Sequence, residues 1–210
     1  MPTASLGAAR PGLLALKRGA VTLAAVLLLG AGSTLQAAPA EPPSGARGSP
    51  SPAGALRTEV ASLLERPDAF PPYESRWKPL GPAALGVLEE MASDPKAPVS
   101  QRAQAVSSMA AVDHPQATDR LRALVQDARA QAPLRASAVT ALGLRVGTEA
   151  VSTLLPLLED RDAHVRMAAA RALGRLGGAE VQHALEERLP VEEAPLVREA
   201  LQQGLTFVEP

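Results

Sequence analysis

The sequence predicts an all-α fold, an α-solenoid of about four helix pairs behind an N-terminal capping segment. Three observations carry that expectation. Landmark residues recur with one period of just over thirty residues, as in tandem repeats. Apolar residues inside each period follow helical spacing, and Gly or Pro marks the helix ends. The chain is 46% hydrophobic but only 2% aromatic, so its core must be built from Leu, Val and Ala, which suits close helix-on-helix contact.

The period is read from four series. Arg102, Arg135, Arg166 and Arg198 are separated by 33, 31 and 32 residues. Asp94, Asp127 and Asp160 lie 33 apart, with Glu192 in the fourth place. Leu88, Leu121, Leu154 and Leu185 keep the same step, and a small-residue helix follows each arginine. Within the third unit, "EAVSTLLPLLED" (149–160) reads as a first helix and "AHVRMAAARALGRLG" (163–177) as a second. Val165, Ala169, Ala172, Leu173 and Leu176 form a single stripe on that second helix. Gly177 and Gly178 stop it, because glycine takes the left-handed conformation that closes helices. Pro98, Pro133 and Pro195 fall at the starts of the other second helices, where a missing N–H costs little. The acid ending a first helix and the arginine opening a second are expected to meet across their turn or to reach into the next repeat.

The period, the helix pairs, the stretch "DRDAHVRMAAARALGRLG" and Pro156 inside a first helix resemble HEAT repeats, particularly the short phycobilisome-lyase-type subclass. The resemblance covers residues 83–210, most closely in units two and three, and least in unit one, where Ser107 and Ser108 dilute the apolar stripe. It implies a HEAT-like repeat domain that serves as a binding scaffold. Some relatives of that subclass attach bilin chromophores; nothing beyond the generic repeat points to that activity in this chain.

The segments before the repeats follow from composition. Arg10, Lys17 and Arg18 precede a thirteen-residue apolar run, Ala20 to Gly32, and small residues follow it. That order defines a secretory signal peptide over residues 1–38, with an uncleaved N-terminal membrane anchor as the alternative. The run is short for an anchor, since spanning a bilayer takes about 20 apolar residues. Residues 39–54, "PAEPPSGARGSPSPAG", read as a disordered Pro/Gly/Ser-rich linker. Residues 55–82 read as a capping helix, ended by Pro67, and an irregular aromatic loop holding Phe70, Tyr73 and Trp77. The expected product is exported, to the periplasm or outside the cell, with no stable membrane span after signal cleavage.

Function classes narrow by exclusion. The chain has no cysteine, which removes disulfides, thiol nucleophiles and thiolate metal sites. His114, His164 and His183 stand in no ligand motif, and no phosphate-binding glycine loop or nucleophile elbow is present. The acid pairs Glu89–Glu90, Glu186–Glu187 and Glu192–Glu193 read as solvated faces, because adjacent helical residues point about 100° apart. No cofactor, metal or catalytic residue is expected, and the chain reads as a non-enzyme. Residues 83–210 hold 13 basic and 17 acidic residues, a balance that disfavours nucleic acid as a partner.

A protein partner is the expected ligand, and two surfaces are candidates for it. Second helices usually line the concave side of a solenoid, so Met167, Arg171 and Arg175 form one candidate protein-binding face, with Arg135 and Arg145 on the helix before. It would receive an acidic peptide or another anion. The competing reading makes Arg135 and Arg166 register pairs and the rest solvated helix formers. The second candidate is the aromatic segment around Tyr73 and Trp77, which reads equally as a cap over the open solenoid end. A regulatory or lyase-like subunit acting with a catalytic partner is the remaining alternative.

The export reading is checked by N-terminal sequencing of the exported protein. The mature chain should begin between Ala38 and Glu41, whereas an intact Met1 or Pro2 terminus in the membrane fraction would establish the anchor.

Overall fold

The computed structural model describes residues 51–65 and 74–208, and all of them lie in one compact unit, Gly48–Pro210. The signal peptide, most of the linker, Phe70 and Tyr73 lie outside the described residues. No strand is present among those described.

Helix α1 runs from Pro52 to Leu64. The expected linker therefore ends three residues sooner than its composition indicates. Ser51 is the reason: its Oγ accepts the Gly54 N–H at 3.2 Å, and Pro52 occupies the first helical position. A serine cap followed by proline is a strong helix start. Val60, Leu63 and Leu64 are buried against the first repeat, and an ion pair between Arg57 and Glu90 ties the two together. Residues 74–80, expected to be irregular, are helical as well. Helix α2, Glu74–Trp77, passes into a 3₁₀ turn, Lys78–Leu80, which ends at Gly81.

Four helix pairs follow. The first is α3, Ala84–Ser93, with α4, Val99–Ser108. The second is α5, Gln116–Gln126, with α6, Ala132–Val146. In the third pair the first helix is a broken rod: a 3₁₀ turn, then α7, Val151–Leu154, then a second 3₁₀ turn, Leu155–Glu159. Pro156 accounts for the break, since it removes a donor and crowds the preceding turn. Its partner α8 spans Ala163–Leu176, capped by Asp162, whose Oδ1 accepts the His164 N–H at 2.8 Å. Gly177 and Gly178 close α8 at φ +71° and +102°. The fourth pair is α9, Ala179–Arg188, with α10, Pro195–Val208.

The repeats stack through their second helices. Helix α4 packs on α6, α6 on α8, and α8 on α10, the last being the most extensive helix contact among the described residues. Leu88, Leu121, Leu154 and Leu185, the periodic leucines of the first helices, are all fully buried behind that layer. The stretch Ala132–Glu159 is long and apolar enough to cross a membrane by length and composition alone. In this fold it is α6, a turn at Gly147 and the broken rod, and its Leu134, Leu142, Leu154 and Leu158 are core residues.

Helix α8 is buried on more than the one stripe its sequence shows. Val165, Ala169, Ala172 and Leu173 are buried as the spacing predicts, while Leu176 is half-buried. Ala168, Ala170 and Gly174 are buried too, because α8 meets a second helix on either side. At the α8–α10 crossing the two backbones nearly touch. A Cβ placed on Gly174 would lie 2.3 Å from the Gly204 Cα, and one on Gly204 would lie 3.3 Å from the Ala170 carbonyl oxygen. That approach leaves no room for a side chain at Gly174, while a methyl at Gly204 would require its neighbours to give way slightly.

Ala169→Leu and Ala170→Gln should therefore both destabilise the fold, although the stripe alone would spare the second. Overpacking typically costs about 1–3 kcal/mol. Gly174→Ala should cost at least as much, since its new methyl meets backbone. Chemical denaturation of the three variants checks this, with wild-type stability for Ala170→Gln being the outcome that would show α10 packed elsewhere.

Candidate functional site

Arginines sort the surface of this fold into two kinds, those committed to the fold and those left available. The periodic arginines are committed. Arg135 opens the second helix of unit two and reaches forward into unit three, donating from Nη1 and Nη2 to the two carboxylate oxygens of Asp160 at 3.2 and 2.6 Å. Its Nε donates back to the Val125 carbonyl at 3.3 Å. Arg166 repeats the pattern one unit on. Its Nε and Nη2 each donate at 2.8 Å to Glu192, and its Nη1 donates at 2.8 Å to the Asp160 carbonyl of its own turn. Each arginine thus closes its own helix–turn–helix and holds the carboxylate of the following unit in a two-pronged fork. Such bidentate pairs are among the strongest charge-assisted hydrogen bonds.

Glu192 is the most enclosed member of this ladder, 2% exposed. It also accepts from Arg188 Nη2 at 2.8 Å and from the Ala194 N–H at 2.9 Å. The hydrogen bond from Arg166 is the main reason its carboxyl is held down at about 2. Burial opposes that shift, and Arg188 and the Ala194 N–H reinforce it. Burial alone would raise the Asp160 carboxyl, but hydrogen bonds from Arg135 and the Asp162 N–H, with the nearby charges of Arg135 and Arg161, bring it below its usual value. Glu192 therefore departs from the solvated face its neighbour Glu193 suggested. Its place in the acid series was the better guide.

Arg145 is committed as well. Its Nε donates to Thr118 Oγ1 at 3.0 Å, and its terminal nitrogens donate to the carbonyls of Ala110, Val112 and His114 at 2.8–3.0 Å. It clasps the turn between units one and two. Neither Arg135 nor Arg145 is thus available to a partner.

Arg171 and Arg175 behave differently. Both are exposed, and neither has a hydrogen bond or ion pair among the described residues. Partial desolvation, and then the like charge of Arg171, lowers the pKa of Arg175, which still leaves an arginine charged at any physiological pH. Met167, half-buried, lies one helical turn before Arg171. Met167 and Arg171 line a shallow depression of about 250 Å³ across α4, α6 and α8, together with Ser107, Ser137, Thr140 and His164. Arg175 lies one turn beyond it on the same helix face.

The aromatic candidate divides. Tyr73 lies outside the described residues. Trp77 is 2% exposed and belongs to the core, so its ring is a packing element and not a docking surface. Buried to this extent, the ring packs in the apolar core and not on the exposed surface expected of it. The histidines sit in local contacts: His114 Nδ1 accepts the Gln116 N–H at 3.1 Å, His164 meets Asp162 and His183 meets Glu187.

The ladder makes a pH prediction. A free glutamate titrates near 4.5, and Glu192 in the fold near 2. A depressed carboxyl contributes stability that is fully present above the unfolded value and is lost as pH falls through the folded one. The shift corresponds to about 3 kcal/mol. Stability should fall as pH drops from 4.5 towards 2, and Glu192→Gln should flatten that fall while costing about 3–5 kcal/mol at neutral pH, because Arg166 and Arg188, both partly buried, lose the carboxylate they share. Urea denaturation across that pH range checks both, and an unchanged acid limb in the variant would refute the rung.

Comparison with known proteins agrees with the repeat geometry. Residues 128–206 match the family model for HEAT repeats, a span that runs from the turn before α6 through most of α10. No curated protein matches the chain. The described residues thus form an all-α solenoid of four helix pairs stacked through their second helices, and its part from residue 128 to 206 is similar to HEAT repeats.

Proposed function

We infer that the chain is a non-catalytic, exported scaffold, which holds an acidic segment of a protein partner on the second-helix face around Met167, Arg171 and Arg175. HEAT repeats generally mediate protein–protein interaction, which supports a protein partner. The single observation that carries the choice of face is the contrast between arginines. Arg135, Arg145 and Arg166 are all engaged by the fold, whereas Arg171 and Arg175 stand close enough to repel each other and have no ion pair among the described residues. Unneutralised like charges on a helix face are mildly destabilising, and an acidic ligand removes that cost.

A non-catalytic role is supported by the chemistry on offer. Among the described residues no group of three or more His, Asp or Glu is placed to hold a metal ion. The strongly shifted carboxyl, Glu192, is held by two arginines inside the fold instead of facing a cleft. Export is supported by the basic start, short apolar run and small-residue exit of residues 1–38. The finer resemblance to the phycobilisome-lyase-type subclass adds no residue to this proposal.

Replacing Arg171 and Arg175 by glutamate separates binding from folding. Surface substitutions stay within about 0.5 kcal/mol, so melting should be nearly unchanged. Proteins captured from the cell-envelope fraction by the wild type should be lost from the variant, with the difference greatest at low salt, where screening is least. Equal capture by both baits would remove this face from consideration, and loss of folding would show the two arginines to be structural.

A further inference from the structure

The repeat period sets side chains of successive second helices in rows that cross the stack. From Arg135 to Arg166 the step is 31 residues, and from Arg166 to Arg198 it is 32. The same two steps lead from Leu144 through Arg175 to Phe207, and from Thr140 through Arg171 to Gln203. Contacts hold these places side by side. Near the helix starts Arg135 meets Asp160 and Arg166 meets Glu192, while near the ends Gly143 lies beside Ala172 and Gly174 beside Gly204. Helices α6, α8 and α10 therefore run the same way at nearly matching heights.

Two rows result, one helical turn apart. The first is Thr140, Arg171 and Gln203, with Ser107 of α4 in the same place one period earlier. All four are half-buried or exposed, and the side chains of Ser107, Arg171 and Gln203 have no hydrogen bond among the described residues. The second row is Leu144, Arg175 and Phe207, with Leu144 50% exposed and Phe207 70% exposed. A single exposed leucine or phenylalanine carries no meaning. Here the two stand on either side of an arginine without an ion pair, in one row. Packed helix axes lie about 8–10 Å apart, so apolar, cationic and apolar groups follow one another across the stack at about that interval.

A polyproline II strand matches the interval. It turns once in three residues and rises about 9 Å in doing so, which brings every third side chain to the same side. A β-strand returns to one side after about 7 Å. An α-helix does so after about 10.5 Å, but it is about 10 Å across, and the depression beside Arg171 holds only about 250 Å³. The polyproline II backbone also makes no internal hydrogen bonds. Ser107, Arg171 and Gln203 offer donors to its carbonyls along the neighbouring row.

We propose that the partner segment held on this face is a polyproline II strand with an acidic side chain for Arg175 and an apolar side chain three residues to either side of it, for Leu144 and Phe207. This rests on reading Arg171 and Arg175 as the partner-binding face. It adds what that face selects, which is spacing and apolar flanks as well as negative charge.

The probe is an acetylated, amidated peptide of nine residues, proline throughout except for leucine at its second and eighth places and glutamate at its fifth. It is titrated into the full chain at low salt and followed by amide NMR. Saturable shifts at Leu144, Arg175 and Phe207 are expected. Glutamine in place of the peptide's glutamate should weaken binding about tenfold, and so should Arg175→Gln, because each removes a charge-assisted contact. The double variant Leu144→Ser, Phe207→Ser should weaken it several-fold with melting unchanged, since both side chains are exposed. A control peptide with proline in place of both leucines keeps the charge and the conformation and loses the flanks. Equal binding of that control, or undiminished binding by the double serine variant, would overturn the proposal and leave the Arg171–Arg175 face standing. So would the absence of saturable shifts, or tighter binding by a helical peptide with the same three side chains seven residues apart. Failure of the face itself is read separately: equal capture of envelope proteins by the wild type and by the chain with Arg171 and Arg175 reversed would remove both.

Discussion

The fork between one repeat's arginine and the next repeat's carboxylate is the interaction on which the order of this stack depends. Apolar packing between helices is permissive about sliding, and the small side chains of α6, α8 and α10 make it more so. A buried guanidinium holding both oxygens of one carboxylate is not permissive, because any slip leaves a desolvated charge alone. Arg135–Asp160 and Arg166–Glu192 each fix one repeat against its successor. The same guanidinium of Arg166 also donates to the carbonyl at the end of its own unit's first helix. One residue type thus sets the geometry within a unit and between units.

Close approach of second helices is the complement of that constraint. Gly174 and Gly204 let α8 and α10 meet backbone to backbone, and the alanines of α8 allow contact on several sides at once. Packing of this kind gains dispersion contacts and tolerates little added volume. Of the side chains on α8 that those demands leave over, Arg171 and Arg175 are exposed, while Met167 is half-buried against the core. Among the described residues the fold commits most arginines to hydrogen bonds or ion pairs and leaves few, Arg171 and Arg175 among them.

Much of this was legible in the sequence. The period located every helix pair, the glycines and prolines located their ends, and the small-residue composition of the second helices implied close packing. Three features were not legible, each for a physical reason. The start of α1 inside a Pro/Gly/Ser-rich stretch depended on the single cap at Ser51, which composition averages away. The burial of Ala170 depended on α10 crossing α8 at two glycines far apart in sequence. Trp77 sits among prolines and charges that read as loop, yet its ring is buried in the core. As for the candidate site, spacing alone did not distinguish engaged from available arginines, since Arg166 and Arg171 lie on one helix and differ only in what the neighbouring repeat presents to them.

A double-mutant cycle at Arg166 and Glu192 measures the central claim most directly. Glu192→Leu leaves Arg166 without its carboxylate and should cost about 3–5 kcal/mol; Arg166→Met leaves Glu192 with Arg188 alone and should cost less; and the double variant should cost clearly less than the sum of the two, Arg188 being common to all four proteins. Strong positive coupling, with a single unfolding transition in the wild type, is what the account predicts. Additive losses in the double variant would contradict it, because the arginine and the carboxylate would then be acting independently and something other than the fork would hold the repeats in register.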